Sequence, residues 1–211
     1  MVISSKLLPH LSNNQMTLAN HAVGESIFIE IDGTPIEFII VHQGNPNTNI
    51  YDSSCDGTWL MMKDLYTKEQ WNDNLDNTYS SSLIHRYLNE ELLPKINNNI
   101  QENILLIKVP YVNSSGYEGK LQQKDSGLFA KVFLLSGAEI GWNINDNENI
   151  FLDGSTLTYF NDDMAAEKRL ALLNGEYTDW WLRTPDKNSN FSANRVLSQI
   201  IKKDNSINTE N

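Results

Sequence analysis

The chain has 211 residues, of which 40% are hydrophobic, and carries a formal net charge of -11 with a pI near 4.7. That length suits one large domain with appendages, and the acidic balance excludes non-specific nucleic-acid binding, which needs cationic surface to release counterions, as well as adhesion to anionic membranes. The longest apolar runs, such as Ile104-Leu105-Leu106-Ile107, are too short to span a bilayer, and the single cysteine, Cys55, excludes an intrachain disulfide or a cysteine-rich zinc site.

Residues 1–22 mix Leu, Asn, Ser and Pro without a period, so they are expected to form an N-terminal arm rather than a domain element. Met1 to Lys6 lacks the charged start and apolar core of a signal peptide, and with a single cysteine this suits synthesis in a reducing cytosol. From Glu25 to Gln43, Ile27, Ile29 and Ile31 alternate, Asp32-Gly33 turns the chain, and Ile36, Phe38 and Ile40 alternate again. Asp-Gly between alternating runs predicts a hairpin. Thr58 to Lys63, with Trp59 inside it, is apolar without alternation, so a strand buried on both faces is expected.

A serine at 81 or 82 caps a predicted helix in which Ile84, Tyr87, Leu88 and Leu92 recur at three and four, and Pro94 stops it. A short helix over Asn97 to Asn103 leads to a strand, Ile104 to Val109. Asn113 to Gly127 is polar loop, and Lys131 to Leu135 is a strand. Ser136-Gly137-Ala138-Glu139 has the spacing of a capping box, with Gly141 closing the turn. A third helix begins at Asn161-Asp162-Asp163, acids first and Lys168 and Arg169 later, as the helix dipole favours, and Asn174-Gly175 ends it.

Tyr177 to Pro185 carries adjacent tryptophans. Strand side chains alternate faces, so Trp180 and Trp181 must be covered on opposite sides, and a central strand between two packed layers is expected. Arg183 in such a strand is expected to pair with a buried acid. The tail, 186–211, is polar apart from Val196 to Ile201. Strands and helices mix without βαβ regularity, which predicts an α+β fold with a small, mainly antiparallel sheet, two to three helices and long loops.

The segments IEFIIVHQG, DGTWLMMKD, SLIHRYLNEELLPKI, IKVPY, KVFLLSGAEIG and RLALLNGEYTDWWLRTP, in that order, resemble the DUF6273 domains of Firmicutes and their phages, over roughly Val23 to Pro185. The resemblance implies a C-type-lectin-like fold over 23–185, in which long loops on one side bind ligands, with 186–211 as a divergent tail. Family members usually end in a closing strand, Gly-Ile/Val-Arg-Pro-Ala-Leu, which Lys187 to Asn211 does not contain.

No motif carries obvious chemistry. Trp71-Asn72-Asp73 spells the triplet of calcium-binding lectins, but it precedes the first helix rather than following the long loop. Asn145 to Glu148 offers oxygens without the EF-hand glycine and distal Glu. His10, His21, His42 and His85 lack metal-pair spacing. Glu90-Glu91 and Asp162-Asp163 are adjacent on their helices and do not face each other across a cleft. Some enzymes with the C-type-lectin-like fold make formylglycine with paired cysteines, which a lone Cys55 disfavours.

The expectation is therefore a non-catalytic phage or prophage virion protein of the tail, baseplate, fibre or particle surface. It needs no cofactor or metal and is able to present loops to a host-surface glycan or protein. A secreted or surface glycan-binding module is the alternative. Trp59, Trp180, Trp181 and Arg183 are the expected structural core. Leu7, Leu8 and Leu11 on the arm, together with the missing closing strand, suggest packing against identical copies or other virion proteins.

Overall fold

A computed structural model describes residues 1–5, 18–73, 76–113, 119–142, 151–187 and 193–196. The centre is a five-stranded antiparallel sheet in the order β2-β3-β4-β1-β9. The hairpin of β2 (Ser26–Ile31) and β3 (Thr34–Gly44) turns at Asp32-Gly33, both with positive φ, as the Asp-Gly signal requires. β3 then pairs with β4 (Gly57–Met62).

The first strand, β1 (Val2–Ser5), lies between β4 and β9 (Val132–Phe133). This corrects the expectation of an arm over 1–22: its first residues are an interior strand, with Val2 and Ile3 fully buried. Four residues are too few to show a period, and their apolar content alone could not distinguish a strand from an arm. Leu7, Leu8, Leu11 and His10 lie outside the described residues.

The sheet divides two apolar layers. Val2, Ile39, Val41, Trp59, Met61 and Phe133 face one side; Ile3, Phe38, Ile40, Leu60, Met62 and Val132 face the other. From Thr58 to Met62 every residue is buried, as a strand covered on both faces demands. The helical segment covers the second layer. It runs as α1 (Leu83–Arg86), a wide π-type turn (Tyr87–Leu92) and a tight turn (Leu93–Lys95), with Ile84, Leu88 and Leu92 turned inward. Ser82 Oγ caps it by accepting from the His85 N–H at 3.2 Å. Pro94 sits in the closing turn, so the predicted stop holds.

Sheet edges are covered rather than open. Asn89 Nδ2 donates to the Val132 carbonyl at 2.8 Å, and its Oδ1 accepts from Lys131 and Val132 N–H groups, so one side chain substitutes for a neighbouring strand beside β9. At the other edge, Asp32 N–H donates to Lys95 O and Asn97 N–H to Glu30 O. The predicted helix at 97–103 is α2 (Asn98–Gln101), capped by Asn97, and leads to β5 (Ile107–Val109). The stretch expected to be loop after Asn113 contains β7 (Leu121–Gln122), paired with β6 (Tyr111–Val112), and then β8 (Leu128–Ala130), paired with β5.

Two further expectations are corrected. Asn174-Gly175 does not end a helix. The third helix is the short α3 (Ala165–Lys168), and Asn174 and Gly175, both at positive φ, form the two-residue turn joining β10 (Leu172–Leu173) to β11 (Glu176–Tyr177). The double-tryptophan strand, β12 (Trp180–Pro185), is not a strand of the five-stranded sheet: it pairs with β13 (Ala193–Val196). Its two rings do diverge as alternation requires, Trp180 packing on the first layer and Trp181 on the second, yet both are only half-buried. β13 also places a strand in the tail, where none of the usual family ending is present. The fold is thus α+β with a mainly antiparallel sheet and few helices.

Candidate functional site

Two features concentrate polar chemistry, one sealed inside and one open. The sealed one is centred on Arg183. Its Nη1 donates to Glu139 Oε2 at 2.6 Å and its Nη2 to Glu139 Oε1 at 2.5 Å, a bidentate pair with both side chains fully buried. Arg183 Nε and Nη1 also donate to the Pro110 and Leu134 carbonyls, each at 2.8 Å. Burial alone would lower the Arg183 pKa, but the charge and hydrogen bonds of Glu139, with Asp153 behind them, raise it overall.

Glu139 is the acid of the predicted capping box. Ser136 N–H donates to its Oε2 at 2.9 Å, and its own N–H donates to Ser136 Oγ at 3.1 Å. Tyr51 OH donates to Glu139 Oε1 at 2.8 Å, and burial, then the Glu139 charge, push that phenol well above its ordinary pKa. Asp153 completes the group, accepting from the Thr184 hydroxyl at 2.8 Å. Gly154 must be glycine for close approach: a Cβ there would lie 2.6 Å from Tyr51 Oη.

Arg183, Glu139 and Asp153 together sum to one negative charge when all are ionised, and all are buried. Burial, reinforced by Glu139 and only partly offset by Arg183 and Thr184, raises Asp153 to about 6 from 3.8. The folded chain therefore holds the Asp153 proton more tightly than the unfolded chain does. This contribution favours folding below pH 4 and is lost as pH rises from about 4 to about 6, a difference on the order of 3 kcal/mol at 1.36 kcal/mol per pKa unit. Asp153→Asn should flatten that part of the stability profile, because an amide has no titrating proton while its oxygen still accepts from the Thr184 hydroxyl. Urea midpoints at pH 4.5 and 7 check this: an unchanged pH dependence in the variant would assign the slope to another group.

The open feature is a cleft of about 570 Å³ between the segment 64–69, the helical segment and the β10–β11 hairpin, a volume typical of small-ligand sites. Tyr66, Tyr87, Tyr177, Trp180 and Trp181 are among the residues that line it, and of the two indoles it is the Trp181 ring, on the second-layer side of β12, that packs with the cleft's apolar lining. Both indole N–H groups are used internally, Trp180 Nε1 donating to Arg169 O at 2.9 Å and Trp181 Nε1 to Glu69 O at 3.2 Å. These bonds fix the rings, and Trp71 supports Trp181 with ring centroids 5.6 Å apart. Hydrogen bonds join the walls: Leu65 N–H donates to the Leu172 carbonyl at 2.8 Å, and Leu172 N–H donates to the Asp64 side-chain Oδ1 at 3.1 Å. Burial, then the field of Glu69, pushes the Tyr87 phenol up to about 12, so it remains a neutral donor.

The structure brings Trp180 and Trp181 to this cleft, which their reading as core residues did not anticipate; Trp59 and Arg183 are core. Of the cleft's other aromatic residues, only Tyr87 was singled out in the sequence, as part of a helical stripe. Asn72 is occupied locally, its amide donating to Asp76 O at 3.2 Å and its Oδ1 accepting from the Asp73 N–H. Among the described residues no group of three or more His, Cys, Asp or Glu is arranged to hold a metal, and no helix is long and apolar enough to cross a membrane. Asn145 to Glu148 lies outside the described residues. His21 pairs with Glu25 at 2.7 Å, His42 with Thr158 Oγ1 at 2.8 Å, and the His85 ring packs on Tyr79. Glu90, Glu91, Asp162 and Asp163 are exposed, and Asp162 pairs with Lys168. Cys55 is buried, its thiol donating to Lys108 O at 3.3 Å and pushed up to about 12 by burial.

The comparison with known families bears on these segments directly. Residues 56–211 match the model of a domain of unknown function, DUF6273. The chain belongs to the DUF6273 family. The match takes in the tail to Asn211, which the sequence alone had set outside the family pattern, and it begins at β4, so β1 to β3 lie before it. No curated protein and no solved structure matches the chain.

Proposed function

We propose that this DUF6273 chain is a non-catalytic protein of a phage or prophage particle, built on a C-type-lectin-like framework, that binds a host-surface glycan through the aromatic cleft. The cleft carries this reading. Fixed aromatic rings stack on the apolar faces of sugar rings while neighbouring carboxylates and phenols accept and donate to hydroxyls, and a pre-formed cleft spares the ligand an ordering cost. The internal charges support a structural rather than a catalytic role, since Glu139, Asp153 and Arg183 are sealed and bonded to one another or to the backbone. The Cys55 thiol, buried and held protonated, does not suit formylglycine chemistry. The particle assignment rests on the resemblance to domains of Firmicutes phages, with identical copies or other virion proteins as partners. A secreted glycan-binding module would use the same cleft.

Two measurements test the proposal. Titration of the full chain with soluble N-acetylglucosamine hexamer should change tryptophan fluorescence with a Kd in the micromolar to millimolar range, about −8 to −4 kcal/mol. Tyr177→Ala, at a ring 60% exposed, should weaken binding several-fold with the thermal midpoint unchanged. Peptide mass spectrometry of purified particles should find the chain; its absence there, with binding intact, favours the secreted module. No binding of any tested oligosaccharide overturns the glycan reading.

A further inference from the structure

The β10–β11 hairpin, which forms one wall of the cleft, turns on Asn174-Gly175, the one Asn-Gly pair in the sequence. Such a pair is chemically unstable where the fold leaves it free. The backbone nitrogen after an asparagine can attack the side-chain carbonyl carbon, and glycine, having no Cβ, shields that nitrogen least. Asn174 and Gly175 are both exposed. Open space lies where a Gly175 Cβ would stand. Among the described residues no hydrogen bond engages the Gly175 N–H or the Asn174 side-chain amide. The hairpin has only two residue pairs, Leu172 with Tyr177 and Leu173 with Glu176, so little pairing resists the rotation that brings the nitrogen to Cγ.

From this exposure and freedom we propose that Asn174 is a site of self-modification, at which the side-chain amide is lost and the backbone is rerouted through isoaspartate. The Gly175 nitrogen, its proton taken by hydroxide, bonds to Asn174 Cγ. The Cγ–NH2 bond breaks, and ammonia leaves with a proton from water. The product is a succinimide ring, and water opens it at either carbonyl. Opening at the backbone carbonyl leaves the chain running through Cγ as isoaspartate; opening at Cγ gives ordinary aspartate. Either product adds one negative charge to a chain of net charge -11. Isoaspartate also puts a further carbon into the backbone of a two-residue turn, whose pairing register is set by its length. The Leu173–Glu176 pairing is then lost, and Glu176 and Tyr177 shift on the cleft wall. The bond from Thr178 N–H to the Ala171 carbonyl at 3.1 Å, and those of Leu172 to the 64–65 segment, hold the base of the hairpin, so the change stays at its tip. The modification does not depend on what the cleft binds.

The test ages the full folded chain at 37 °C and pH 8 and follows it by peptide mass spectrometry, with an isoaspartate-specific methyltransferase as the second readout. The peptide carrying Asn174 is expected to gain the amide-to-acid mass at least tenfold faster than peptides carrying other asparagines of the described residues, with isoaspartate in excess of aspartate. Because the attacking nitrogen is the deprotonated one, the rate should fall several-fold at pH 6. Amide hydrogen exchange over 172–177 should lose protection in the aged chain while the β2–β3 hairpin keeps its own. Asn174→Gly retains a residue suited to positive φ in the turn and removes the amide. It should show neither the mass gain nor the loss of protection with age. An Asn174 that stays intact while other asparagines convert, aspartate as the only product, or a rate unchanged at pH 6 overturns the proposal. Conversion to isoaspartate with protection over 172–177 fully kept overturns the loss of pairing at the turn.

Discussion

Glu139→Ala should cost the fold roughly 3–5 kcal/mol, because it leaves Arg183 buried without its bidentate partner. The Arg183 side chain has no exposure to water, and what remains around it are the Pro110, Leu134 and Asp153 carbonyls and the Asp153 carboxylate, which offsets part of the charge without replacing the bidentate contact. Glu139 also accepts from Tyr51 and the Ser136 N–H, so its loss leaves two buried donors unpaired as well. Urea unfolding of the parent and variant gives the difference directly. Removing both charges in Arg183→Met/Glu139→Leu should recover part of the loss, since a well-packed apolar pair avoids the desolvation of two ions. A Glu139→Ala variant within about 1 kcal/mol of the parent would mean that water reaches Arg183 and that the pair is not structural.

The same pair explains why the family pattern is so much easier to see than a function. Glu139 belongs to the SGAEIG segment and Arg183 to the WWLRTP segment, and their contact, with Thr184 accepting from the Gly137 N–H at 2.8 Å, fastens two distant stretches of chain. The recognisable residues hold the fold together. The capping-box spacing was legible in the sequence, as was the need of Arg183 for an acid, because each follows from local geometry or from the cost of a buried charge. That the same glutamate serves both was not legible, since it depends on how residues 44 positions apart meet.

The limits elsewhere have similar causes. The β2–β3 hairpin and the two-faced β4 could be read from alternation and from its absence. β1 could not, because four residues carry no period and its partners, β4 and β9, come much later in the chain. Asn174-Gly175 is compatible with a helix end and a hairpin turn alike, both requiring positive φ; tertiary packing decided between them. The cleft was invisible because it is assembled from three separated segments, and its tryptophans read as core from composition alone. Their half-burial separates them from Trp59, and that difference can be measured.

Trp59→Ala should be among the most damaging single substitutions in the chain, at roughly 3–5 kcal/mol. Trp59 has no exposure. Its ring lies edge-on to Tyr51 at 5.8 Å and to Phe133 at 5.3 Å, contacts worth more than area alone, and its Nε1 donates to Cys55 O at 3.1 Å. It sits on β4 at the register position opposite His42 of β3 and Ser4 of β1, so the cavity would open in the middle of the sheet, where neighbouring strands cannot collapse into it. Trp181→Ala removes a ring of the same size that is only partly covered along the cleft, and the expected cost is smaller, scaling with the area withdrawn from water. The two variants should therefore separate in urea by at least 1 kcal/mol, with Trp59→Ala the less stable. Equal losses would place Trp181 in the core and withdraw it from the ligand surface; a larger loss for Trp181 would reverse the assignment of the two rings.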